Sequence, residues 1–241
     1  VADERNKAPT LQKKTSAAVE AFLDRARTAP PALHARGRLV FALDATISRQ
    51  PTWDMAQALQ AEMFAAAAGH GGLAVQLVYF RGFDECRASA FVEGGDGLAR
   101  LMGGISCRAG KTQIGRVLAH ARAEAQSGKI GALIFIGDAF EEQLDHVAHN
   151  AGELGLMGVR AFMFQEGNDP DALRAFQEIA RLTGGACAAF DNRAPDRLRD
   201  LLGAVATYAA GGLPALARRA AAGEKAARLL IAQIEGSPPC P

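Results

Sequence analysis

The sequence predicts an α/β fold: a doubly wound, mostly parallel six-stranded sheet with helices on both faces and one antiparallel edge strand. Three observations predict it. Most of six short runs are near-continuously apolar instead of alternating, as in strands buried on both faces. Segments with helical spacing separate most of them, which is the pattern of crossover connections. One pair of runs is joined by only five residues, from Arg81 to Glu85, and so reads as a hairpin.

In chain order, residues 39–43 form the first strand, stopped by Asp44. A helix comes next over 53–67, with Met55, Leu59 and Met63 four residues apart, and Gly69, Gly71 and Gly72 end it. Residues 73–80 and 87–92 make the hairpin, and 98–102 a short helix. A longer helix over 112–126 leads to the most apolar strand, 130–136, which Gly137 and Asp138 stop. Residues 144–156 are helical and 159–164 a strand. A helix over 170–183 is closed by Gly184 and Gly185 before a last strand at 186–190. Pro195 opens a helix that runs to about Tyr208.

These elements fill one domain, residues 36–209. Residues 1–35 read as an N-terminal helical extension with Leu11, Ala18, Val19, Phe22 and Leu23 on one face, interrupted at Pro30 and Pro31. Residues 210–241 read as a C-terminal helix and tail, with Leu213, Leu216, Ala220, Leu229 and Ile234 on one face and basic flanks at Arg218, Arg219, Lys225 and Arg228. Both ends are expected to pack as extra cover on the domain, with docking of a partner helix as the alternative. Their alanine-rich faces bury too little area to lie on a membrane.

Lys plus Arg number 27 and Asp plus Glu 26, so the net charge is +1. That balance speaks against a nucleic-acid binder whose affinity comes from neutralising phosphates. With 49% hydrophobic and 22% charged residues in 241, the chain can build a core without staples, and disorder or coiled coil is excluded. The four cysteines lie far apart without metal-ligand spacing, as expected of free thiols in a reducing compartment. The polar N-terminus lacks an apolar stretch, and no run of the sequence approaches the roughly 20 residues that span a bilayer. A soluble, cytoplasmic protein is the expectation.

In open parallel sheets, ligands bind beyond the carboxyl ends of the strands. The residues just after each strand therefore carry the functional signal. Asp44, Thr46 and Ser48 come after the first strand with an oxygen at every second position, Thr112 precedes the long helix, and Asp138 ends the most buried strand. Two carboxylates and three hydroxyls suit a hard divalent cation, Mg²⁺ or Mn²⁺, which takes oxygen ligands and usually keeps water. Two negative charges leave such an ion able to take one more anionic ligand from outside. Each of these residues has an ordinary alternative, since Asp, Ser and Thr also cap helices and make turns.

The set Asp44-x-Thr46-x-Ser48, Thr112 and Asp138 resembles the metal-ion-dependent adhesion site of von Willebrand factor A (VWA) domains, whose usual pattern is DxSxS…T…D. The resemblance spans residues 36–209, and residues 181–185 before the last strand look like the family's C-terminal segment. Thr46 stands where serine is usual; it keeps the hydroxyl and adds a methyl. The resemblance implies a Rossmann-like fold and a protein-binding module that is not an enzyme. It implies that Thr46, Ser48 and Thr112 ligate the ion directly, with Asp44 and Asp138 often acting through water. The ion would capture an acidic side chain, Asp or Glu, of a partner protein. Bacterial intracellular members of such families often act beside AAA+ ATPases or chaperones, so an accessory role there is a further expectation by fold-level analogy.

Neighbouring loops should supply specificity. Arg49, Gln50 and Trp53 come shortly after the first strand, while Arg81 and Phe83 lie in the hairpin link, and arginine with aromatics is a hot-spot composition. Trp53 has burial in the core as its alternative.

Other classes fit less well. In a haloacid-dehalogenase-like phosphohydrolase, Asp44 would be the nucleophile, with Thr112 on the phosphate and residues 137–142 as a metal loop. The second Asp of that motif is here Thr46, which carries no proton near neutral pH. A phosphate-binding loop ending in Gly110, Lys111 and Thr112 lacks its first glycine, where Ile105 stands. RNA binding is a third alternative, because one ring-shaped RNA chaperone type carries a related domain; the neutral charge speaks against it. His146 and His149 lie three apart on one helix, as a metal pair can, but read as a solvated face.

Overall fold

The structure, a computed structural model, describes residues 36–191 and 195–236. The expected N-terminal extension at 1–35 lies outside the described residues. The first half contains β1 (Gly37–Asp44), a 3₁₀ turn (Ile47–Arg49), α1 (Gln50–Ala68), β2 (Leu73–Arg81), β3 (Glu85–Val92), α2 (Gly95–Gly103) and α3 (Ile114–Ser127). The second contains β4 (Ala132–Gly137), α4 (Leu144–Leu156), β5 (Arg160–Glu166), α5 (Pro170–Thr183), β6 (Ala186–Phe190), α6 (Pro195–Ala221) and α7 (Lys225–Ile234).

The strands form one sheet in the order β3-β2-β1-β4-β5-β6. Among the described residues only β3 runs antiparallel, to β2, and every other pairing is parallel. The fold class is therefore the expected one. The β1 side chains divide the core in two. Leu39, Phe41 and Leu43 pack with α1, α2, α6 and α7, while Val40 and Ala42 face α3, α4 and α5. This is why residues 39–43 read as continuously apolar: both faces are covered.

The departures from expectation are at element ends. α1 begins at Gln50, three residues early, because Pro51 in the first turn needs no N–H partner. β5 continues to Glu166, since Gln165 and Glu166 are buried although polar. α6 runs well past Tyr208, bending at Gly212, whose φ of 67° only glycine adopts readily, with Pro214 just beyond. By length and composition α6 could cross a bilayer, but it is broken at Gly212 and mostly buried in the domain. α7 then covers β6: the Gln233 amide accepts from Cys187 N and donates to Cys187 O, both at 2.8 Å. A side-chain amide thus satisfies backbone groups of an edge strand that would otherwise offer a template for pairing.

Candidate metal centre

The sheet order reverses at β1 and β4, so the crevice at their carboxyl ends is where a doubly wound sheet places its ligand. The loop after β1 is held on two sides: Ala45 N donates to Phe80 O at 2.9 Å, and Ala45 O accepts from Arg108 N at 3.0 Å. Asp44 is 4% exposed, and its Oδ1 accepts from Thr46 N at 2.7 Å, an Asx-type turn that reverses the chain at the strand end. Thr46 O then accepts from Arg49 N, closing the 3₁₀ turn. The hydroxyls of Thr46 and Ser48 come to lie 3.5 Å apart. Burial pushes the Asp44 carboxyl up to about 6, against the lowering effect of its Thr46 hydrogen bonds; the Asp138 charge adds to the rise and Arg49 opposes it.

Thr112 is buried and precedes the helix, as the site reading expected, although α3 begins at Ile114 and not at 112. Its Oγ1 accepts from Glu141 N at 3.0 Å, while its N–H donates to the Glu141 carboxylate at 3.2 Å. Glu142 accepts from Ile114 N and Gly115 N at 2.5 and 2.9 Å, capping α3 from a distant loop. The loop leading to Thr112 also presses on the hairpin. Lys111 N donates to Gly82 O, and a Cβ on Gly110 would lie 2.1 Å from that same oxygen. It is the Glu141 and Glu142 contacts that clamp the segment after Asp138 to the one carrying Thr112.

Asp138 is half-buried and paired with Arg49, Nη2 to Oδ2 at 3.0 Å. Burial raises its carboxyl, while Arg49 pulls it down. The same guanidinium reaches Glu166 on β5 at 2.5 Å, and Thr52 also donates to Glu166. Arg49 Nε lies 3.4 Å from Ser48 Oγ. Glu166 and this bridging role of Arg49 were not anticipated from the sequence. The signal that could have found Glu166 is its place at the carboxyl end of β5, hidden because the strand was expected to end at its last apolar residue, Phe164.

Three of the side chains expected to meet a partner are otherwise engaged. Arg49 is 13% exposed and held between two carboxylates. Trp53 is buried in the core, donating to Met102 O at 3.2 Å and meeting Tyr79 edge-on. Arg81 grips Glu85 at 2.9 and 3.0 Å and donates to Ser106 O, so it ties the hairpin to the next loop. Gln50 is exposed and bonded to Asp54. Phe83 is 72% exposed at the hairpin turn, and Ile47, on the 3₁₀ turn between the two hydroxyls, is 68% exposed.

The donor set fits a hard dication. Two hydroxyls converge beside a buried carboxylate; among the described residues no group of three or more His, Cys, Asp or Glu could hold a metal by itself, so the hydroxyls would have to share the ligation. Enzymatic alternatives find less support. Glu142, at the end of the stretch that a phosphohydrolase would use as its metal loop, accepts from the first N–H groups of α3. Burial raises the thiols of Cys86, Cys107 and Cys187, the opposite of an activated nucleophile.

No protein-family model matches this sequence, and no curated protein matches it. Solved structures do. A von Willebrand factor type A protein from Catenulispora acidiphila aligns at 17% identity with a TM-score of 0.57, covering 72% of this chain and 43% of that one. The SpRpn10 VWA domain aligns at 9% and 0.52, covering 66% and 89%. Proximal thread matrix protein 1 from the mussel byssus, in a structure described as having a zinc-occupied MIDAS motif, aligns at 14% and 0.56, covering 72% and 46%. The chain thus spans less than half of the first and third of these. At such identities the likeness is one of fold, and the fold of this chain is that of a VWA domain.

Proposed function

We propose that this chain is a protein-binding module in which Asp44, Thr46, Ser48, Thr112 and Asp138 hold one divalent ion, Mg²⁺ or Mn²⁺, for capture of an Asp or Glu side chain of a partner protein. The observation that carries this is the turn after β1: a buried Asp44 carboxylate bonded to Thr46 N, beside two hydroxyls 3.5 Å apart, at the switch point of the sheet. The zinc-occupied MIDAS of one structural neighbour supports a divalent ion in this fold. When bound, the ion supplies positive charge and an open coordination position for a carboxylate oxygen. Asp44 and Asp138 contribute the negative charge that favours it. Thr112 keeps its hydroxyl facing the Glu141 backbone, which sets its orientation. Ile47 and Phe83 offer apolar contact to the captured partner.

The test is calorimetric titration of Mg²⁺ and Mn²⁺ into metal-stripped protein. Saturation at one ion per chain supports the reading; silence at millimolar metal overturns it. Incubation with ATP, GTP or a phosphomonoester should give background hydrolysis only, and turnover lost in Asp44→Asn would favour the phosphohydrolase instead.

A further inference from the structure

We propose that Arg49 is a tethered competitor of the divalent ion: its guanidinium occupies two of the five ligand residues and so sets the metal concentration at which the site fills. This rests on the metal-site reading above and adds the residue that tunes it.

Arg49 touches Asp138 at 3.0 Å and approaches Ser48 Oγ at 3.4 Å, both of them proposed ligands. It comes directly after Ser48 on the same 3₁₀ turn, so it cannot diffuse away, and its effective concentration at the site is high. The planar fork of a guanidinium suits a pair of carboxylates. With the side chain 13% exposed, little water intervenes to weaken the pairing.

Glu166 makes the competition reversible. It comes from β5, one strand beyond Asp138, and also accepts from Thr52, so it is fixed independently of the metal ligands. Arg49 can therefore release Asp138 and remain held by Glu166. The site does not lose its ability to attract a cation, because Asp44, Asp138 and Glu166 bring three carboxylates to the ends of β1, β4 and β5, against the one charge of Arg49. Repulsion between guanidinium and dication, together with the lost Arg49–Asp138 pair, subtracts from the affinity that the oxygen set would otherwise give.

The experiment compares wild type, Arg49→Gln, Arg49→Lys and Arg197→Gln, all full-length and metal-stripped, by Mn²⁺ and Mg²⁺ calorimetry at one ionic strength. Arg197 lines the same open groove as Arg49, Asp138 and Glu166, and has the same charge. Arg49→Gln is expected to bind Mn²⁺ about tenfold or more tightly than wild type, Arg49→Lys to fall between, and Arg197→Gln to match wild type. Thermal melts give a second readout: Arg49→Gln should melt lower than wild type in chelator and gain more from saturating Mg²⁺. Should Arg49→Gln fail to fold, Arg49→Lys still decides, since it loses the two-carboxylate fork. Affinity equal to or below wild type in the folded Arg49 variants, or an equal gain in Arg197→Gln, overturns the competitor while leaving the metal site standing. No binding by wild type or any variant overturns both.

Discussion

The two halves of the sheet's carboxyl edge handle negative charge in opposite ways. On the β1 side, Asp44 is buried beside neutral donors, a backbone N–H and two hydroxyls, and its carboxyl is pushed up to about 6. On the β4–β5 side, Asp138 and Glu166 share Arg49, and Thr52 adds a further donor to Glu166. Among the described residues, one side leaves its carboxylate without a cationic partner in direct contact, and the other already carries a cation of its own. The edge combines an unbalanced carboxylate with a balanced pair, and a ligand that brings charge acts mainly on the first.

The strongest test of that contrast removes the unbalanced side. Asp44→Ala deletes the carboxylate around which the turn is built, and metal binding should fall below calorimetric detection at millimolar Mg²⁺. Its circular dichroism should stay that of wild type, because the core lies on the two faces of the sheet and not at its rim. Binding retained at wild-type affinity would move the site to the β4–β5 side.

The unbalanced carboxylate should also be visible in stability. The ordinary Asp44 carboxyl value is 3.8 and burial raises it to about 6 in the folded protein. Between those values the folded state binds more protons than the unfolded one, so this group makes stability fall as pH rises through that window. In chelator, Asp44→Asn, which keeps an oxygen for Thr46 N–H, should match wild type near pH 4. It should be more stable above pH 6, by roughly 1–3 kcal/mol at one pKa unit per 1.36 kcal/mol. Urea melts across pH 4–7 measure this; a difference that does not grow with pH would mean that Asp44 carries no burial cost.

Next in size is the clamp that joins the halves. Glu142→Ala leaves Ile114 N and Gly115 N without their acceptor and should cost about 1–2 kcal/mol in urea melts, as losing a helix cap does. A neutral result would mean that water replaces the carboxylate there.

The same contrast explains what could be read from the sequence. The β1 half is local: Asp44, Thr46 and Ser48 lie within five residues, and a strand that stops at a carboxylate announces itself. α5 and β6 were legible to the residue, because Pro170 and Gly184 mark the helix ends and an apolar run comes next. The other half depends on partners far apart in sequence, 117 residues for Arg49 and Glu166. Nothing near Arg49 distinguishes a buried ion pair from a solvated arginine, and Trp53, four residues on, gave no sign whether it faced a partner or the core. The α6 boundary failed for a different reason. One helix was expected to end near Tyr208 and a separate one to follow, yet a single helix continues through a bend at Gly212, because Ala215 and Leu216 are buried beyond it.

The mildest substitutions are those of the exposed apolar pair at the rim. Ile47 and Phe83 are 68% and 72% exposed, so neither contributes much to the folded core. Phe83→Ala and Ile47→Ala should each change stability by no more than about 0.5 kcal/mol, as surface substitutions away from caps and buried networks usually do. Neither side chain offers a ligand atom, so Mn²⁺ affinity in the free protein should be unchanged. A destabilisation of about 2 kcal/mol or more in Phe83→Ala would show that Phe83 packs on the domain in solution, and would remove it from the surface open to a partner. Unchanged stability and unchanged metal affinity together would leave Phe83 on the surface open to a partner.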